Sequence, residues 1–230
     1  GAPSIALRDL RLKRVLGRGA YGEGIAGTYF GTRVVLKRML RGRITPRNME
    51  LFAGELALMT RLRHPNVVML IGATTDTFCN VGFVLERVER GDLTGLLADA
   101  AAFPALTWAD PLLRMATDIA HGMAYLHGQH PPVLHLDLKS LNVLVSSSLT
   151  CKVADFGLSE RTEERLAAHE PAPPAEHGAR ALGGGARQPK GTPLWMAPEV
   201  IKGGEITGAA DVYSFAIVLA EMETLRPPFS

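Results

Sequence analysis

Four residues near the middle of the chain have the types and spacing to grip a metal-bound triphosphate and a hydroxyl nucleophile together: Asp137, Lys139, Asn142 and Asp155. They fall in two runs, L-H-L-D-L-K-S-L-N-V-L-V from Leu134 and, after a Ser-rich turn, C-K-V-A-D-F-G-L from Cys151. Each run reads as a polar loop flanked by short apolar strands, a layout that holds side chains at set offsets for phosphoryl transfer. A lone aspartate is usually a solvated surface group. The information lies in the combination of an acid, a lysine two places on, an asparagine three beyond that, and a second acid on the next loop.

A phosphate cradle is the other requirement, and Gly17-Arg18-Gly19-Ala20-Tyr21-Gly22 is the candidate. Glycines let backbone N–H groups approach a triphosphate where a Cβ would hold them off. In a chain with 24 glycines such a run can be a plain turn, so its position carries the argument. A strand precedes it, another follows, and Val34-Val35-Leu36-Lys37 lies on a third. A dinucleotide-binding reading needs a helix directly after the glycines and an acidic residue in a βαβ unit, and neither pattern is present.

The elements that must hold these residues change character along the chain. Leu10 to Leu16, Thr28 to Phe30, Thr32 to Met39, Val67 to Ile71 and Val81 to Val88 read as antiparallel strands. One helix interrupts them, from Met49 to Leu62, with Pro65 closing it. Beyond Gly91 the period turns helical: Leu112, Ala116, Ile119, Met123 and Leu126 follow Thr107, a candidate cap. Glu86 to Gly91 is the expected hinge between a strand-rich and a helix-rich half. Residues 161–189 mix Ala, Pro, Gly and Arg without apolar period and read as a long loop.

Composition excludes more than it selects. At 230 residues and 47% hydrophobic, with 21% charged, the chain is globular rather than disordered. The 25 basic and 23 acidic residues leave +2, too little to imply nucleic acid or an anionic membrane as the main partner. Two cysteines, Cys79 and Cys151, make neither a disulfide framework nor a zinc site, which fits a reducing, cytoplasmic setting. No apolar run approaches the roughly 20 residues of a membrane span, although an anchor could lie outside this segment.

These motifs resemble the H-R-D-x-K-x-x-N and D-F-G loops of the eukaryotic protein kinases, and the glycine run and Lys37 resemble their glycine-rich loop and V-A-I-K strand. The resemblance implies ATP and Mg²⁺ as cofactors and a protein as substrate, with oligomeric state left open. It assigns Asp137 to orient the acceptor hydroxyl, Lys139 to neutralise the transferring phosphoryl group, and Asn142 and Asp155 to hold the metal. Lys37 would bind phosphate and pair with Glu55, for which Glu50 is the competitor. Leu16, Gly17, Gly19, Gly22, Gly24, Val35, Leu144 and the gatekeeper Leu85 would surround the nucleotide. The Glu86 and Val88 backbones would meet the adenine, and Asp92 the ribose. Lys139, together with G-T-P-L-W-M-A-P-E from Gly191, is similar to the tyrosine-kinase-like group of serine/threonine kinases, the mixed-lineage, Raf-like and plant-type members. Thr192 is then expected to contact Asp137 and Lys139, and Asp211 to anchor the catalytic-loop backbone. Met59, Leu70, Phe156 and His135 match the family's regulatory spine.

The chain also departs from the pattern. Gly24 stands where the family has Val and Val35 where it has Ala. Leu136 replaces the Arg that pairs with a phosphorylated activation loop, and an alkyl chain makes no charge-assisted bond to phosphate. The expectation is an α+β, bilobal protein-kinase-like fold: a small β-rich lobe with one helix (1–85), a hinge (86–91) and a mainly helical large lobe (92–230), incomplete at its C-terminus, with an activation segment at 155–199. The implied activity is ATP-dependent serine/threonine phosphotransfer in intracellular signalling, the alternative being a pseudokinase that binds nucleotide or scaffolds.

Overall fold

The computed structural model describes residues 2–18, 22–76, 80–99, 106–157, 160–161 and 192–229. Gly19, Cys79, Thr162 and nearly all of the 161–189 loop lie outside them. The chain divides into two compact units, Gly1–Gly91 with Leu144–Gly157, and Asp92–Val143 with Leu158–Ser230.

The first unit is built on a five-stranded antiparallel sheet in the order β1-β2-β3-β5-β4. Its strands are β1 (Leu10–Arg18), β2 (Gly22–Tyr29), β3 (Thr32–Met39), β4 (Leu70–Asp76) and β5 (Asn80–Glu86). β2 begins six residues earlier than its sequence suggests. Gly22-Glu23-Gly24 has poor strand propensity, but it pairs residue for residue with Met39, Arg38 and Lys37 of β3, so tertiary pairing overrides propensity. Alternation puts Val34 and Leu36 of β3 in a core with Ile5, Leu10, Ile25 and Val84, and turns Val35 and Lys37 to the opposite face.

Helix α1 (Pro46–Met59) starts three residues before the expected Met49. Pro46 occupies the first helical turn, where a missing N–H costs nothing, and the Thr45 side chain accepts from Asn48 N at 3.2 Å. Phe52 of α1 stacks on Phe83 of β5, ring centroids 4.2 Å apart, and Phe83 is the cross-strand partner of Lys37. Glu55, one helical turn past Phe52, is thereby brought over Lys37. Gly82 permits this close register, because a Cβ there would lie 2.8 Å from the Lys37 carbonyl oxygen. The chain returns to this unit through the ribbon of β6 and β7, Val143–Val145 and Cys151–Val153 in turn. The bonds Val68 N to Val153 O (2.9 Å) and Val153 N to Asn66 O (2.8 Å) fasten it.

The second unit is mainly helical: α2 (Leu93–Ala98), α3 (Leu112–His127), the short α4 (Pro198–Ile201) and α5 (Gly208–Thr224). A two-stranded pair, Val133–Leu134 with Glu160–Arg161, completes it. α3 buries Leu112, Met115, Ala116, Ile119, Gly122, Met123 and Leu126, the stripe its period predicts. Thr107 does not cap it. Pro111 occupies the cap position, while the Thr107 carbonyl accepts from Leu112 N and its hydroxyl donates to Asp110 O, so Thr107 builds the preceding turn. In α5 the buried stripe comprises Ala210, Asp211, Ser214, Val218, Glu221 and Met222, half of them polar, whereas Val212 is 60% exposed.

Candidate active site

Each unit gathers one cluster of the residues singled out from the sequence. In the first unit Lys37 Nζ lies 3.3 Å from Glu55 Oε1 and 2.8 Å from Asp155 Oδ1. Glu50, the alternative partner, sits exposed on α1. Asp155 is held at a positive φ of 65°, a conformation rare for residues other than glycine, and Phe156 beside it is 1% exposed. The buried ring anchors the loop while the carboxylate stays half in solvent. Met59 and Leu70 are buried in the same unit.

The hairpin carrying the glycine run is fixed beside its turn. Glu23, 7% exposed, accepts from Arg18 Nε (3.1 Å) on β1 and from Arg38 Nη2 (2.6 Å) on β3. A Cβ at Gly22 would fall 2.7 Å from the Arg38 carbonyl oxygen, so that position requires glycine. Gly24 is roomier: its virtual Cβ meets only Val35 Cγ1, at 3.8 Å. A Val35 methyl thus faces the place that a larger residue at 24 would fill. Leu16 and Gly17 are exposed, Val35 and Leu144 half-buried, and Val88 buried.

Glu86 has a role that spacing did not reveal. Its carboxylate accepts from Met69 N and from Lys152 Nζ, both at 2.8 Å, tying the end of β5 to the residue that leads into β4 and to the strand that leads into Asp155.

In the second unit the catalytic-loop candidates converge on one carboxylate. Asp137 Oδ2 accepts from Lys139 Nζ (2.8 Å) and Asn142 Nδ2 (3.0 Å), and its Oδ1 accepts from the Thr192 hydroxyl (2.7 Å). Lys139 Nζ also donates to Thr192 Oγ1 at 2.6 Å, the expected contact. The loop hangs on Asp211, 1% exposed, whose two oxygens accept from His135 N and Leu136 N at 2.8 Å each. His127 Nε2 reaches the same carboxylate at 2.8 Å. Those paired bonds hold Leu136 at a φ of 63°, strain that an unanchored loop would relax. Asp92 caps α2, its Oδ1 accepting from Gly95 N at 2.8 Å.

The protein tyrosine and serine/threonine kinase family matches residues 10–229. The chain belongs to that family. Among its relatives, serine/threonine-protein kinase CTR1 of Arabidopsis thaliana is 37% identical over 96% of this chain and 25% of its own length. Dual specificity protein kinase shkA of Dictyostelium discoideum is 35% identical over 100% of this chain and 40% of its own. Probable serine/threonine-protein kinase SIS8 of Arabidopsis thaliana is 36% identical over 98% and 20%. This kinase chain therefore spans between a fifth and two fifths of those relatives, which group with the tyrosine-kinase-like serine/threonine kinases as the motifs implied. The antiparallel small unit and the helical second unit are those of the protein-kinase fold.

Burial and pairing tune the charges of this kinase site in different senses. At Lys37 burial favours the neutral amine, but attraction from Glu55 and then Asp155, with their hydrogen bonds, outweighs it and raises the pKa above the ordinary lysine value. For Glu55 burial is the larger effect, and it lifts the carboxyl above the usual range despite the pull of Lys37. Asp211 shows the reverse outcome: burial opposes its charge, yet the His127 bond, the attraction of His135 and the two backbone N–H donors hold it below the usual range. The Arg38 guanidinium likewise lowers Glu23.

Proposed function

We propose that this chain is the phosphotransfer domain of a serine/threonine protein kinase, moving the γ-phosphoryl group of ATP to protein Ser or Thr hydroxyls in intracellular signalling. The observation that carries the reading is the convergence of Lys139, Asn142 and Thr192 on the Asp137 carboxylate, held by the buried Asp211. A carboxylate so oriented can accept a hydrogen bond from an acceptor hydroxyl and take its proton as the oxygen attacks phosphorus. Lys139, already beside Asp137, offers positive charge to the phosphoryl oxygens as charge spreads over them. Lys37, kept protonated by its two carboxylates, is suited to hold the α- and β-phosphates, and Glu55 orients it. The glycine run, Leu16, Val35 and Leu144 would enclose the nucleotide, with the Glu86 and Val88 backbones against the base.

Mg²⁺ would suit the oxygen donors that each unit offers. In the second unit Asn142 Nδ2 donates to the Asp137 carbonyl (2.8 Å) and carboxylate, which leaves its Oδ1 for other partners, and in the first unit Asp155 keeps a half-exposed carboxylate; each offers the hard oxygen that suits a phosphate-borne divalent ion. Among the described residues no cluster of three or more His, Cys, Asp or Glu forms an all-protein metal cage. When bound, the ion would neutralise charge on the β- and γ-phosphates.

Transfer of labelled γ-phosphate from ATP to a mixed peptide library, followed by phosphoamino-acid analysis, tests the reading. Phosphoserine and phosphothreonine should dominate. Phosphotyrosine in comparable yield would make this a dual-specificity enzyme, as the name of one relative describes that protein. No transfer alongside intact nucleotide binding would favour the pseudokinase.

A further inference from the structure

Glu221 is a buried carboxylate, 3% exposed, that no Lys, Arg or His among the described residues pairs with. It sits on α5 nearly three turns past Asp211, and the sequence motifs give it no role. Its Oε1 accepts from Ser140 Oγ at 2.6 Å and its Oε2 from Trp195 Nε1 at 2.7 Å. Ser140 follows Lys139 directly in the catalytic loop. Trp195 closes a turn on Thr192 through its backbone, Trp195 N to Thr192 O at 3.0 Å. Lys139 and Thr192 then meet side chain to side chain at 2.6 Å, beside Asp137. The contacts form a closed ring: Glu221, Ser140, Lys139, Thr192, Trp195 and back to Glu221.

We propose that Glu221 is a positioning residue for phosphotransfer, holding the catalytic loop and the Thr192–Trp195 turn at the separation that keeps Lys139 and Thr192 on Asp137. The proposal rests on the reading of Asp137 as the group that orients the acceptor hydroxyl. Chemistry explains why an acid stands there. The indole N–H only donates, and Ser140, which also bonds Thr94 Oγ1 at 2.7 Å, donates as well in this arrangement. Two donors converging on one buried side chain need two acceptor oxygens. Glutamine can substitute only if its oxygen faces Trp195 and its NH₂ faces Ser140, whose hydroxyl reverses toward Thr94. Leucine leaves both donors unmet.

The test uses the full-length protein, with Glu221→Leu, Glu221→Gln and Trp195→Phe, and Glu223→Gln as control because Glu223, on the same helix as Glu221, bonds the other tryptophan, Trp108. Glu221→Leu should lower kcat by about 30-fold with the ATP KM within about 2-fold of wild type; Trp195→Phe should fall the same way by about 10-fold, and Glu221→Gln by only about 3-fold. Glu223→Gln should match wild type. Backbone hydrogen exchange, read by mass spectrometry, should quicken over residues 139–142 and 192–196 in Glu221→Leu and not over β3 and α1. Should Glu221→Leu misfold, the Trp195→Phe result decides. Unchanged kcat in both, or a raised ATP KM with kcat intact, would overturn the proposal. If wild type transfers no phosphate, the kinase reading fails, and the exchange pattern alone upholds or overturns the ring.

Discussion

Lys37 and Asp137 each sit at the centre of a polar cluster, yet the two clusters are assembled on opposite principles. Around Lys37, charges balance charges: one half-exposed ammonium lies between Glu55 and Asp155, and burial works against the ionised form of Glu55. Around Asp137, hydrogen-bond geometry is imposed from below, by a deeply buried Asp211 whose oxygens are saturated by N–H donors. The first arrangement suits groups that exchange ionic partners with phosphate and metal. The second suits a group whose direction must not change while a proton moves. Damage to the first should therefore register mainly in nucleotide handling, and damage to the second in the transfer step or in stability.

The sharpest break is expected at Asp137. Asp137→Asn keeps an acceptor for Thr192 but cannot take a proton, and kcat should fall by about 10³-fold in a steady-state assay. Asp211→Asn comes next, as a stability effect. An amide has one acceptor oxygen where two backbone N–H groups and His127 need more, so the second unit should lose about 3 kcal/mol in a denaturant titration. Its acid response should change too. The folded pKa of Asp211 lies below its unfolded value, so its contribution is present above about pH 4 and is lost as pH falls through the lowered native value. Thermal unfolding between neutral pH and pH 3 should show a shallower acid-side decline in Asp211→Asn than in wild type.

Glu55→Gln separates the two principles. Because burial raises the Glu55 pKa, its ionised form adds little to folding, and the variant should differ by less than about 1 kcal/mol in stability while its ATP KM rises about tenfold or more in a steady-state assay. An equal loss of stability in Glu55→Gln and Asp211→Asn would erase the contrast. The smallest expected effect concerns Leu136. Lacking a cation at that position, the enzyme should change rate by less than tenfold, or about 1.4 kcal/mol, on phosphatase treatment. A larger drop traced to Thr162 or Thr192 would show that another cation serves there.

Local motifs carried the positions of Lys37, Asp137, Asn142 and Asp155 because each is defined by neighbours a few residues away, whereas Glu55 was picked over Glu50 through resemblance. Thr192 and Asp211 were legible only through resemblance, since their partners lie 55 and 76 residues off along the chain. Glu221, Ser140 and the Glu86–Lys152 pair were not legible at all. A buried polar contact between distant segments leaves no periodic trace, and Glu221 sits in a helix that reads as apolar. The early start of β2 escaped for a related reason, its glycines being strand residues only because β3 pairs with them. Thr107 misled for a similar reason, a turn builder taken for a helix cap because its polar side chain lies just ahead of the apolar period.

The division of labour between the two clusters is tested most directly by titrating Mg-ATP into Asp137→Asn and Asp155→Ala by calorimetry. Asp137→Asn should bind within about 2-fold of wild type while Asp155→Ala binds more than about 10-fold more weakly. Equal losses of affinity in the two variants, or full affinity in Asp155→Ala, would contradict it.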